Sequence, residues 1–323
     1  MNFILTGIGA GLVSALLTAV VIKATPLAAV LYLLAPIPVL IVSLGWNHRA
    51  GLVAAAVGGL AIAMFISPLS GVGFVVVTAL PAWWLSYLAL LGRPGKDGTI
   101  EWYPVGRLLA WIAGTATVTI VSAGIISTGG DYATFHQNAR SVSQAFVNLQ
   151  FPQGGAGGID AETREGVVDW IARATPFLSA QGFTLVLTVY LYTAGKIVSI
   201  SKRLPRSWPD ISQLRMPRAT VGLLVAGGVL AFLMTTSFIG VLGIALAGAL
   251  LTAFALQGLA IIHNRSRGRA FRPMILTGVY VLLFLTQGIL MIALSLFGLA
   301  DTLFGFRRST GAGPTLPQPP LSA

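Results

Sequence analysis

Helix-length apolar runs alternate with short polar links along nearly the whole chain, and one long polar stretch, residues 128–174, interrupts them. A hydrocarbon core of about 30 Å takes about 20 apolar residues per crossing. On that measure nine runs qualify: 3–22, 26–45, 50–67, 71–91, 104–127, 175–200, 218–236, 238–262 and 273–299. Pro26 and Pro273 open the second and the last, and proline is tolerated in a first helical turn. The pairs 50–91 and 218–262 read as hairpins turning through the charge-free links 67–70 and 235–238. The pattern predicts an all-α integral membrane protein, a polytopic bundle of eight or nine transmembrane helices with one extracytoplasmic helical segment. The membrane domain spans 1–308, and the Pro-rich stretch 309–323 is expected to be a disordered tail.

Within the polar stretch, Tyr132, Phe135, Ala139, Val142, Phe146 and Leu149 recur at steps of three and four, predicting one stripe of an amphipathic helix capped by Asp131. A Gly-rich break at 152–158 follows. A second helix is predicted from Asp160, with Glu162 and Glu165 where carboxylates suit the helix dipole, running into the sixth span with Pro176 as a kink or restart. Two readings stand: a helix resting on the membrane or bundle, and a lid hinged at the glycines.

Composition agrees with the pattern. The 323 residues are 55% hydrophobic and 9% charged, with mean hydropathy +0.85, against about 25% charged in soluble domains. The absence of cysteine removes disulfides and thiolate sites. No basic region precedes the first run, which therefore reads as a retained helix and not a cleaved signal. With the N-terminus in the cytoplasm, the loops around Arg49, Arg93, Lys202, Arg215 and Arg265 fall on one face and carry the entire net charge of +11. The segment 128–174 holds five of the nine acidic residues and falls opposite, so it is extracytoplasmic. Parity also sends Asp301 and the tail outside, although Arg307 and Arg308 favour the inside. The basic loops serve topology and anionic lipid; nucleic acid is not an expected partner.

Chemistry is sparse. No ionisable group is expected at mid-membrane, where proton and ion paths announce themselves. His48, His136 and His263 stand apart, without the spacing of a metal site, and no phosphate loop, nucleophile elbow or His-Glu-x-x-His pair occurs. No catalytic residue, metal or cofactor is expected, and the protein is not expected to be an enzyme. Gln181, Gln257 and Gln287 lie within spans, where such groups usually bridge helices. Trp83, Trp84 and Tyr87, with Trp102, Tyr103 and Trp111 flanking the next span, suit interface anchors. Trp83, Trp84, Tyr87 and Gln181 are the candidate ligand-binding residues. Gly7, Gly11, Ala15 and Ala19 recur every four residues and form a smooth ridge for close packing, against a helix of this chain or of a partner.

Gln257-Gly-Leu259, the basic loop after it, and the stretch 297–308 (Phe-Gly-Leu-Ala-Asp-Thr-Leu-Phe-Gly-Phe-Arg-Arg) resemble the end of the YybS-like bacterial membrane proteins, a family of unknown function. Leu80-Pro81 and Trp102-Tyr-Pro104 extend the resemblance loosely over 5–308. It implies a bacterial cytoplasmic-membrane location and carries over no catalytic residue. The chain is also distantly similar to substrate-capture subunits of energy-coupling-factor transporters, where an Ala-x-x-x-Ala helix meets the coupling subunit. That likeness implies such a role for Ala15 and Ala19, although those subunits have about six spans. The function expected is a substrate-binding or transport membrane subunit, with the first, fourth and sixth spans enclosing a site covered by 128–174. The alternative is an envelope scaffold recruiting a cytoplasmic partner through its basic loops.

Overall fold

The computed structural model describes residues 2–95, 99–151, 160–286 and 288–306. Helix α1 (Phe3–Ala19) is followed by α2 (Pro26–Leu33) and α3 (Pro36–Gly45), which together make one crossing broken at Ala35. Next come α4 (His48–Phe65), then α5 (Pro68–Phe74) and α6 (Leu80–Ala89), joined through a π-type turn at Val75–Ala79. α7 (Val105–Thr128), α8 (Tyr132–Gln150), α9 (Ala161–Ile200), α10 (Ala219–Leu233), α11 (Phe238–Arg265), α12 (Arg272–Leu285) and α13 (Ile289–Phe304) complete the helices. A two-stranded hairpin that the apolar pattern does not predict, β1 (Gly92–Pro94) against β2 (Ile100–Trp102), pairs Arg93 with Glu101 in register and in a 2.8 Å ion pair.

Seven helical stretches among the described residues are long and apolar enough to cross a membrane. They match the first six predicted runs and the eighth. The seventh run is a helix of 15 residues. The ninth is not one helix: Gly288, at φ 93, breaks it between α12 and α13. A left-handed residue is nearly free only for glycine, and an apolar run that continues on both sides of one gives periodicity no sign of it.

Small residues line the closest helix contacts, alongside buried Leu85, Leu250 and Phe254, and large apolar side chains crowd the exterior. α1 buries Gly7, Ala10, Gly11, Ser14 and Ala15 while Leu5, Leu12 and Leu16 point outward. α4 meets it with Ala50, Ala54 and Gly58. α11 is the central staff, in contact with α7, α9, α10 and α13. At Gly298 an added Cβ would lie 2.0 Å from the Phe254 carbonyl oxygen, and at Gly258 2.2 Å from that of Leu294, so α11 and α13 touch backbone to backbone.

That contact also fixes direction. Ser295 donates to the Leu251 carbonyl at 2.7 Å, and Gln257 reaches Asp301 at 2.9 Å. Both partners advance together along the chain, so α11 and α13 are parallel. Asp301 and the described chain end therefore lie at the Arg265 end of the bundle, which corrects their parity-based placement opposite. Residues 273–299 form two helices broken at Gly288, and not the single helix on which the parity count rests.

Candidate functional site

Gly129 and Gly130, at φ 62 and 85, reverse the chain after α7. Asp131 then caps α8, accepting from the backbone N–H of Ala133 and Thr134, and Asp160 caps α9 through Thr163 at 2.8 Å. Hydrogen bonds from Thr134 and from Thr163 hold these two carboxyls below their ordinary value. α8 lies antiparallel on the first half of α9. Arg140 pairs with Glu165 at 2.7 Å and Asp169 at 3.1 Å, and Arg164 donates to Asn148 at 2.9 Å and to the Phe151 carbonyl at 2.8 Å.

The buried face of α8 is Ala139, Ser143 and Val147, whereas Val142, Phe146 and Leu149 of the predicted stripe stand exposed. Aiming Arg140 at two acids on α9 turns the small-residue side of α8 inward and its bulkier apolar side out. α9 runs on through Pro176 without a restart, 40 residues or about 60 Å. The predicted hinge at 152–158 lies outside the described residues.

Beneath the first turns of α8 is a cavity of about 490 Å³. Its walls include Tyr132, Phe135 and His136 of α8, Arg173 and Pro176 of α9, and Thr235 and Thr236 of the α10–α11 turn. The Tyr132 and His136 rings stack with centroids 6.2 Å apart, Phe135 packs on Phe238 at 5.4 Å, and the Tyr132 hydroxyl donates to the Thr235 carbonyl at 2.9 Å. The space thus has an aromatic wall and an exposed guanidinium, which suits a flat molecule with one negative group. It is lined by α8–α11, of which α9 carries the sixth predicted span, and not by the first and fourth spans. The signal available was local: His136 four residues from Tyr132, and Arg173 three before Pro176.

The residues proposed from sequence do not converge on this cavity. Trp83, Trp84 and Tyr87 form an aromatic knot near the opposite end of the bundle. Tyr87 stacks on both tryptophans, Trp84 meets Trp111 edge-on at 5.6 Å, and the Trp83 indole donates to the His48 carbonyl at 3.0 Å. Gln181 is half-buried on α9, about 25 Å of helix rise from Val198, which packs on Gly45 beside that end. Gln287 lies outside the described residues. Gly7, Gly11 and Ala15 face α4 and its neighbours, and Ala19 packs on the edge of the same cluster.

The basic end is closed by the strap 201–218. Arg203 lies over the Trp46 ring at 4.4 Å, and half-buried Arg206 reaches across to the Ala89 carbonyl at 2.8 Å, capping the end of α6. Burial lowers the pKa of that guanidinium. Asp210 grips Arg267 with both oxygens, at 2.6 and 2.8 Å. Hydrogen bonds from Arg267 first, then Ser212, hold the Asp210 carboxyl far below its ordinary value. A carboxylate so depressed contributes stability that is complete above its unfolded pKa of about 3.9 and is lost as pH falls toward the folded value. Asp210→Asn is expected to flatten the acid limb of melting temperature against pH, the variant and the parent converging in strong acid. An unchanged limb below about pH 4 would show that this grip is too solvated to matter.

Deeper in, Gln257 is fully buried. Its amide nitrogen donates to the Gly298 carbonyl (3.1 Å), Asp301 (2.9 Å) and Thr302 (3.0 Å), and its oxygen accepts from the Met216 N–H at 2.8 Å. Asp301 is 4% exposed. The sequence, which puts this carboxylate in an outer tail, predicts no buried acid in the bundle; the α12–α13 break is what carries it inside.

Close small-residue helix contacts, an exterior rich in large apolar side chains and, among the described residues, seven helices fit to cross a bilayer define a polytopic α-helical membrane protein. More narrowly, the chain belongs to the family described as predicted membrane protein (DUF2232), whose model matches residues 12–302. No curated protein and no solved structure matches it.

Proposed function

We propose that the protein is a substrate-binding membrane subunit of a bacterial cytoplasmic membrane, with its site in the cavity roofed by α8 and opening away from the cytoplasm. The observation that carries this is the meeting of stacked Tyr132 and His136 with Arg173 around a space of about 490 Å³, within the roughly 300–1,000 Å³ usual for small-molecule sites. The ligand is a small aromatic or heteroaromatic anion, bound without chemistry or cofactor. Sidedness follows from the charge sorting, which keeps the strap and the Arg265 loop in the cytoplasm. A transport partner is part of the reading, but Ala15 is buried against this chain's own helices, so that partner docks elsewhere.

A thermal-shift panel of aromatic carboxylates and heteroaromatic metabolites on the purified protein tests it. At least one compound is expected to raise the melting temperature, with Arg173→Ala weakening its binding about tenfold, as the loss of a charge-assisted hydrogen bond does. If nothing in the panel stabilises the protein, or the variant binds equally well, the reading fails. The scaffold alternative is less favoured because Arg203, Arg206 and Arg267 are engaged within the chain, leaving Arg265 and Arg269 exposed for a partner.

A further inference from the structure

At the basic end, α9, α11, α12 and the strap enclose a second cavity, of about 660 Å³. Its walls are layered. Toward the bundle centre they are apolar, with Leu109, Leu214, Leu256 and Leu259; at the mouth stand His263, Tyr280, Arg267 and Arg272. From Leu256 to Arg265, where α11 ends, the helix rises about 14 Å, close to the depth of one leaflet's hydrocarbon, half of about 30 Å. Asp210 already compensates Arg267, whereas Arg272 makes no ion pair among the described residues. The Tyr280 hydroxyl lies 3.0 Å from the His263 ring nitrogen, at the same mouth. α12, which forms the outer wall, has no buried residue, so this flank is closed only loosely against the bilayer.

We propose that this cavity binds one anionic phospholipid, its acyl chain along Leu109, Leu256 and Leu259 and its phosphate at Arg272 and Tyr280. The apolar depth and the loosely packed α12 flank favour a lipid entering sideways over a soluble phosphate arriving from water. Uncompensated positive charge at the mouth selects an anionic headgroup over a zwitterionic one. This site is at the opposite end from the cavity beneath α8 and shares no residue with it.

The test is native mass spectrometry of the full chain, released from neutral detergent containing phosphatidylglycerol or phosphatidylcholine of matched chains, with melting curves in parallel. One phosphatidylglycerol per chain is expected to persist, and to raise the melting temperature above that with phosphatidylcholine. Arg272→Gln is expected to weaken retention about fivefold, the effect of one basic residue near an anionic lipid. Leu259→Trp, which fills the apolar depth from a half-exposed position, is expected to abolish it while leaving the melting temperature in lipid-free detergent within a few degrees. Equal retention of both lipids, or phosphatidylglycerol retention unchanged in both variants, overturns the proposal. Stabilisation by glycerol phosphate alone, matching that by the lipid, would assign the site to a soluble phosphate instead and also overturn it.

Discussion

Gln257→Leu is expected to destabilise the protein by about 3 kcal/mol, read as an earlier midpoint of SDS-induced unfolding and a lower melting temperature. The leucine fills much the same volume, so the loss is in hydrogen bonds and not in packing. It strips the Met216 N–H of its acceptor and removes a donor from Asp301, Thr302 and the Gly298 carbonyl. A buried polar group deprived of its partner costs about 1–3 kcal/mol, and Thr302 and Asp301 retain other partners, so the sum stays near the upper end of that range. The same substitution at Gln181 is the control. That side chain is half-buried and donates no hydrogen bond among the described residues, so Gln181→Leu is expected to change stability by no more than about 0.5 kcal/mol. Equal effects at the two sites would mean that Gln257 is a bystander to the joining of α11, α13 and the strap.

The contrast between these two glutamines shows what the sequence could carry. Both are single amides in apolar runs, and nothing in their neighbours separates them. Each is followed by a glycine, but Gly182 meets nothing, whereas Gly258 and the distant Gly298 bring two backbones close enough for the Gln257 side chain to reach across. Such long-range complementarity has no local period. The elements whose signals are local were legible: the cap at Asp131, the helix start at Asp160, the proline-led starts at Pro26 and Pro273, the apolar runs that became seven long helices among the described residues. The ridge from Gly7 to Ala15 was legible as a ridge, and only the structure names α4 as what it meets.

The stripe on α8 holds for Tyr132, Phe135 and Ala139, which pack inward, and fails at Val142, Phe146 and Leu149 for a related reason. Periodicity gives a helix two candidate faces when small and large apolar residues alternate around it, and the choice passed to Arg140, whose partners Glu165 and Asp169 lie across a loop. Beyond the local pairs Tyr132–His136 and Arg173–Pro176, the cavity beneath α8 was hidden in the same way, since its aromatic wall, its arginine and its threonines come from three separate stretches of chain. The aromatic residues that were conspicuous in sequence, Trp83, Trp84 and Tyr87, are conspicuous because they adjoin. Adjacency on one helix favours stacking on each other over lining a chamber.

The second large effect is all-or-none. The chain has no cysteine, so single cysteines report their side of a sealed membrane without background. Phe306→Cys is expected to react with an impermeant maleimide from the same side as Arg269→Cys, and from the side opposite to Gln144→Cys on the exposed face of α8. The offset between partners on α11 and α13 is 44 residues at both Leu251–Ser295 and Gln257–Asp301, and a constant offset means parallel helices whose C-terminal ends share a side. α12 and α13 together must then leave and return, though their 14 and 16 residues give legs of only about 21 and 24 Å. Gly288 at φ 93 makes the turn between them. The arrangement also removes a conflict in the charge pattern, because Arg307 and Arg308 follow Phe306 directly in the sequence and a basic pair belongs with the other basic loops. Labelling of position 306 together with position 144 would mean that 273–299 crosses once after all. The α11–α13 contact, and with it the burial of Asp301 against Gln257, would then have to be abandoned.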